Sequence, residues 1–362
     1  MHSQDRLYFK LTETSFCTSS YEMTVRKAES IMQTLRDLGE HQIIEILQHT
    51  FGSSSRTTVG FGDDVSAIKL SNDKVAVLKT DMLVGSTDMP PGMTLRQAAW
   101  KAAIANVSDL AAKGVKPFAG LVALGLPAEL TKSNIKQIAN GLRDVGKSYR
   151  FPFVGGDTNE SEDLTISIAL FGLAQQKRLV LRRGARDGDI VAVTGEFGAT
   201  SAGLKALLEY GIKPSGLPHS VYEAVFHPRA QLDLGLKLAA SGALTSSIDS
   251  SDGLAWSLHE LAVASRMGIL IHQVPVGKDV INFAKSHSLN YADLALYGGE
   301  EYHLVLTVRP NKFDSAVRAS KGRLKAVGFV TKRFREVRRL HEDEEIQVEP
   351  RGWEHFKESR SD

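Results

Sequence analysis

Short apolar runs and helix signals alternate along the chain. The segments "VAVLKTD" (75–81), "FAGLVALGLP" (118–127) and "LTISIALFGLA" (164–174) predict strands. Between the first two, Thr94 and Gln97 form a capping box and small apolar residues follow. Gly114 then stands where a C′ glycine belongs, so the stretch predicts a helix. A second helix is predicted over Lys132 to Lys147. The segment "RRGARDGD" (182–189) is polar, bears glycine and breaks the pattern. Beyond it come strand "DIVAVTG" (189–195), a glycine-rich turn and a helix from Ala199 to Glu209. Pro228 reads as the first residue of a further helix. Strands "GILIHQV" (268–274) and "YHLVLTV" (302–308) and a helix around Ser315 follow. The expectation is α/β, with α+β character, in two domains: 26–178 and 179–362, after an extension at 1–25. No short-period repeat is visible.

Composition narrows this little. The 362 residues are 42 % hydrophobic and 24 % charged, with a net charge of +2, so no global field argues for nucleic acid or a membrane. The basic run within "TKRFREVRRLHEDEE" (331–345) is followed at once by acids and reads as a solvated charged face. The single cysteine, Cys17, forbids an internal disulfide and fits a cytoplasmic location. No apolar run approaches the ~18 residues that span a bilayer. The first two dozen residues are polar, read as a disordered extension, and leave Met23 as a candidate natural start.

Acids change the picture. Asp63 and Asp64 in "GDD", Asp81 in "KTD", Asp157 in "GGDT", Asp249 and Asp252 in "SIDSSDG", and Glu300 and Glu301 in "GGEE" all neighbour glycine, serine or threonine beside inferred strands. Any one alone reads as a cap or turn residue. Asp109 is different. On its helix it shares a stripe with Ala105, Ala102 and Ala98, so its carboxylate faces inward and needs a cation or several donors, from Asn106 or a lysine. Oxygen-rich clusters without sulfur suit hard divalent ions, Mg²⁺ above all, and several such ions point to polyphosphate. A P-loop and the kinase catalytic motifs are missing. The glycines of "TGEFGATSAGL" (194–204) do not match a dinucleotide fingerprint, although a helix opening there offers free N–H groups to a phosphate.

The motifs "GFGDDVSAI", "TDMLV", "NVSDLAAKG", "VGGDT", "LRRGARDGD", "IDSSDGL" and "YGGEEYHL" occur in the order seen in thiamine-monophosphate kinases. The resemblance runs from about Gly39 to Trp353. It implies a two-domain fold like that of aminoimidazole ribonucleotide synthetase, a homodimer built on the N-terminal domains, and phosphoryl transfer from ATP to thiamine phosphate. Carried over position by position, it implies Mg²⁺ ligands at Asp64, Thr80, Asp81, Asp109, Asp157, Asp249 and Asp252. ATP would meet Tyr149, Gly156, Asp157, Arg182 and Ser251, and the thiamine end would meet Asp88, Glu300 and Trp353. The chain departs from the family twice: Lys79 precedes "TD" where Ser or Thr is frequent, and Asp88-Met89 stands where many members have "HF". Selenophosphate synthetase and the hydrogenase-maturation relative each need a cysteine that the matched region lacks. Two other activities stay open: a synthetase of the same superfamily, and a Mg²⁺–nucleotide sensor without turnover.

Such chemistry explains the acids. Two unit charges 4 Å apart repel by about 4 kcal/mol at an effective dielectric of 20, so anionic donor and acceptor need divalent ions between them. The acceptor phosphate is already ionised and needs no protein base, and no histidine or aspartate stands out as one.

Overall fold

The computed structural model describes residues 34–52, 54–352 and 356. The extension at 1–25, with Met23 and Cys17, and Trp353 lie outside the described residues. The chain divides into two compact units. One comprises Met1–Gly52 with Glu354–Asp362. Its described helix, Leu35–Phe51, is capped by Thr34 and broken by Gly39 at φ 71°. The other, Ser53–Trp353, carries both sheets.

The first sheet contains β1 (Thr57–Val59), β2 (Ser66–Ser71), β3 (Lys74–Val84), β4 (Pro117–Leu126), β5 (Phe153–Glu160) and β6 (Thr165–Gln175). Its order is β1-β2-β3-β6-β4-β5, antiparallel except for the β4/β5 pair. The second contains β7 (Ile190–Val193), β8 (Leu244–Asp249), β9 (Gly268–Ile271), β10 (Leu304–Val308), β11 (Lys325–Thr331), β12 (Val337–His341) and β13 (Glu344–Gln347). Its order is β13-β12-β9-β11-β7-β10-β8, with only β9 and β12 parallel.

The helix Leu95–Ala112 lies between the sheets. It packs on β3 and β6 from one side, and on β8 and the helix Leu232–Ala240 from the other. Thr94 and Gln97 form the expected capping box, and Gly114 follows the C-cap Lys113 at φ 67°. Burial nearly all round explains the alanine-rich sequence: small side chains let neighbours approach closely. A Cβ added at Gly235 would collide with the Ala111 carbonyl.

Three local expectations need correction. Pro228 does not open a helix; the next one starts at Leu232. The Pro228 carbonyl instead accepts from Trp100 Nε1 (2.7 Å), and the Ala230 N–H donates to the Tyr149 hydroxyl (3.0 Å), so tertiary partners claim backbone groups that a helix would use. Asp81 does not end its strand, which continues to Val84 with unbroken pairing to β6. "GGDT" is no turn either, because it lies within the edge strand β5.

Alternation along β3 places Lys79 and Asp81 on the sheet face that meets the helix, and Leu78, Thr80 and Met82 on the other. On that outer face Ile68, Leu78, Met82, Leu121 and Leu173 stand exposed.

Candidate active site

The site forms where the first sheet, the helix Leu95–Ala112 and the end of β8 meet. Carboxylate oxygens of Asp64, Asp109 and Asp249 all lie within 4.8 Å of one another, and all three residues are buried. Asp64 comes from the turn before β2, Asp109 from the last turn of the helix, and Asp249 from the final residue of β8.

Their environments differ. Asp64 is 2.8 Å from Lys113 Nζ and 2.6 Å from Arg182 Nε. Burial pushes its carboxyl up, but these two cations outweigh burial and hold it below the ordinary aspartate value. Both cations are anchored elsewhere as well. Lys113 also binds Asp63 (2.6 Å) and the Ser247 carbonyl (2.7 Å), and Arg182 binds Glu260 (2.7 Å). Asp109 faces Lys79 Nζ at 2.8 Å, which supplies the lysine that its inward position demanded. Burial, then repulsion from Asp249, Asp64 and Asp81, still pushes Asp109 well up. Among the described residues no cation stands within ion-pair distance of Asp249, although Lys79 and Arg182 act on it from further off. Burial and the Asp64 charge push it up to about 6, and its Oδ2 is buried without a hydrogen-bond partner among the described residues. Three converging oxygen donors, one of them unsatisfied, fit a hard divalent ion.

The other predicted residues spread around this centre. Asp81, on the same sheet face, stands 3.8 Å from Lys79. Asp157 and Thr80 are exposed on the opposite face: Asp157 pairs with Ala123, Ala123 with Ser167 and Ser167 with Met82, one row on the outer side. The structure therefore does not bring those two together with the buried triad within one chain. Gly156 runs so close to β4 that a Cβ would collide with the Val122 carbonyl. Ser251 and Asp252 form the turn after β8, where the Ser251 carbonyl accepts from the Glu300 N–H at 2.5 Å. Gly352 passes directly against the Asp252 carbonyl. Tyr149 contacts Trp100 and spends its hydroxyl on Ala230. Asp88 turns its carboxylate back to the Val84 N–H (2.7 Å) and the Thr87 hydroxyl (3.0 Å).

One expectation fails outright. The helix Ala199–Leu208 does not offer free N–H groups to a phosphate, because Glu301 Oε1 already accepts from Gly198 (2.7 Å) and Thr200 (3.1 Å). The carboxylate of this chain fills the anion position that the helix terminus creates.

Residues 62–174 match the family described as AIR synthase related protein, N-terminal domain. A curated thiamine-monophosphate kinase of Nitrosopumilus maritimus is 36 % identical over 323 residues, covering 88 % of this chain and 99 % of that protein. The chain belongs to the thiamine-monophosphate kinase family. A second relative, from Pyrococcus abyssi, is also 36 % identical and covers 88 % of this chain and 96 % of its own length. Among solved structures, AaThiL complexed with AMPPCP and TMP superposes with a TM-score of 0.79 at 29 % identity, over 90 % of this chain and 99 % of that one. The mixed α/β architecture with two sheets is thus that of the thiamine-monophosphate kinases.

The structure also shows roles that the motifs did not announce. Lys113 neutralises the "GDD" pair from far along the chain, and Arg182, expected at ATP, also pairs with Asp64. Lys101 is buried, with Nζ 2.8 Å from the Asp88 carbonyl and 2.5 Å from Glu300 Oε1. It therefore ties together two positions that the motifs assign to the substrate. Lys101 falls on the inward stripe with Ala98 and Ala105, and a lysine in such a stripe is the signal that was available.

Proposed function

We propose that the protein transfers the γ-phosphoryl group of ATP to thiamine phosphate, giving thiamine diphosphate and ADP. The observation that carries the reading is the buried Asp64–Asp109–Asp249 triad with its unsatisfied Asp249 oxygen, in a chain of this family. These three residues would hold Mg²⁺, which when bound supplies positive charge against the phosphate oxygens of donor and acceptor. Asp81, which acts on Asp109 from the same sheet face, and Asp252, in the turn after β8, are further candidate ligands, whereas Asp157 and Thr80 face the opposite side of the sheet.

The chain's own part is placement. Lys113, Arg182 and Lys79 stop the acids from repelling one another apart before substrate arrives. Arg182 and Ser251 are assigned to the nucleotide, with Tyr149 as a further support; Asp157, expected there with Gly156, lies on the outer side of the edge strand β5 and does not reach this triad within one chain. Glu300, Asp88 and Trp353 are assigned to the thiamine end, with Lys101 fixing the first two. An acceptor oxygen attacks the γ-phosphorus as the bond to the β-phosphate oxygen breaks. The acceptor is already ionised, so no protein base removes a proton.

The apolar outer face of the first sheet supports a homodimer through that face. Met82 and Leu121 are at least half exposed there, and monomeric proteins rarely leave so wide an apolar patch uncovered.

The test is product analysis. ADP and thiamine diphosphate should appear in equal amounts, only with both thiamine phosphate and Mg²⁺ present, and Asp249→Asn should abolish both. ADP release that ignores thiamine phosphate would overturn the reading in favour of a different ATP-dependent reaction. Nucleotide binding with no product would leave a sensor.

A further inference from the structure

The three cations around the triad are not equivalent. Lys113 rests on Asp63, Asp64 and a backbone carbonyl, with a side chain wholly buried, and Arg182 divides itself between Asp64 and Glu260. Neither can leave without stranding other groups. Lys79 is different. Its ammonium touches Asp109 at 2.8 Å; Asp81, 3.8 Å away, is partly exposed, and Asp249 acts on it from further off. The lysine grows from a strand at the rim of the site and keeps a fifth of its side-chain surface accessible. It thus has one tight partner, one loose alternative and a way out toward solvent.

We propose that Lys79 is a tethered competitor of the divalent ion, occupying Asp109 in the free protein and yielding it when an ion enters. Among the described residues it is the cation paired with Asp109. An ion that uses Asp109 must displace the ammonium toward Asp81 or coexist with its charge a few ångströms away. Either costs binding free energy that a neutral side chain would not exact. The triad is therefore weakly receptive to stray ions and fills efficiently when polyphosphate contributes additional oxygen ligands and negative charge. This rests on the triad being the ion site.

The experiment is a Mn²⁺ titration, by calorimetry and by electron paramagnetic resonance, of the full chain without nucleotide. Wild type is compared with Lys79→Gln, which keeps a donor toward Asp109 but removes the charge, and with Lys79→Arg, which keeps the charge. Lys79→Gln should bind Mn²⁺ at least tenfold more tightly than wild type, whereas Lys79→Arg should gain less than threefold. Without metal, Lys79→Gln should melt below wild type, and Mn²⁺ should raise its melting temperature by more. Equal or weaker Mn²⁺ affinity in Lys79→Gln would overturn the competitor role while leaving the ion site standing. If none of the three proteins binds Mn²⁺, even with a non-hydrolysable ATP analogue, the ion site itself falls. If Lys79→Gln does not fold, Lys79→Gln/Asp109→Asn removes the stranded charge. Calorimetry on that pair, read against Asp109→Asn alone, should then show no gain, because the contested carboxylate is gone; a tenfold gain there would also refute the proposal.

Discussion

Strands β3 and β10 both carry apolar runs, yet they end in different surroundings. Along β10, Leu304, Leu306 and Val308 enter the core shared with the helix Leu95–Ala112, whereas Val305 enters a second core beneath the helix Leu254–Ser265. Every residue of that strand is buried. Along β3, Val75, Val77 and Leu83 are buried on one side while Leu78 and Met82 look outward uncovered. Among the described residues β10 is covered on both faces, whereas the first sheet is apolar on a face left exposed. Both strands write similar residues into the sequence, so the difference lies in what packs on them.

Replacing Lys113, which ties the acids beside the first sheet to the Ser247 carbonyl of the second, has the largest expected effect on this contrast. Lys113→Met should cost about 3–5 kcal/mol in urea unfolding, because it leaves buried Asp64 short of a cation. A loss under about 1 kcal/mol would mean that the halves are not joined through this residue. Next comes Leu306→Ala in the closed sheet, expected to cost about 2–5 kcal/mol as a core truncation; a cost like that of a surface change would show that the second sheet is less tightly covered than described.

The closed sheet also carries an acid liability. His303 is packed against Gly195 and edge-on to Phe197, and burial pushes its imidazole down to about 4. Because the folded value lies below the unfolded one, this contribution is present above about pH 6.5 and is lost as pH falls toward 4. Unfolding at pH 7 and pH 4.5 should differ by roughly 2–3 kcal/mol from this group, and His303→Gln should remove that portion. An unchanged pH dependence in the variant would exclude it. The smallest effect on the fold is expected on the open face. Leu121→Glu should alter the stability of the isolated chain by no more than about 0.5 kcal/mol and yet, on the dimer proposed above, lower the sedimenting mass to that of a monomer. A large loss of stability with no change in mass would make that face part of the fold rather than an interface.

Much of the fold was readable from local signals. The capping box at Thr94 and Gln97 and the glycine at 114 bracketed the central helix because caps are encoded within a few residues. Asp109 betrayed its burial by helical spacing alone. What could not be read is whatever depends on partners remote in sequence. Nothing near "GDD" announces Lys113 or Arg182, and nothing near Pro228 announces that Trp100 and Tyr149 would claim its neighbourhood. The phosphate expected at Gly198–Thr200 failed for the same reason, since Glu301 arrives from beyond the helix to fill it. Faces were legible only in part: period two separates Asp81 from Thr80, but it does not say which side meets the helix.

The ties that surround the triad have a consequence for how the chain is made. Arg182 reaches Asp64 across 118 positions, and Lys113 reaches Ser247 across 134. Contacts of such span close late, after local helices and hairpins have formed. A nascent or half-folded chain therefore carries these aspartates as scattered single acids, unable to gather around one ion. Whatever binds the finished cluster stabilises only the completed chain, so ion capture would mark the end of folding and hold it there.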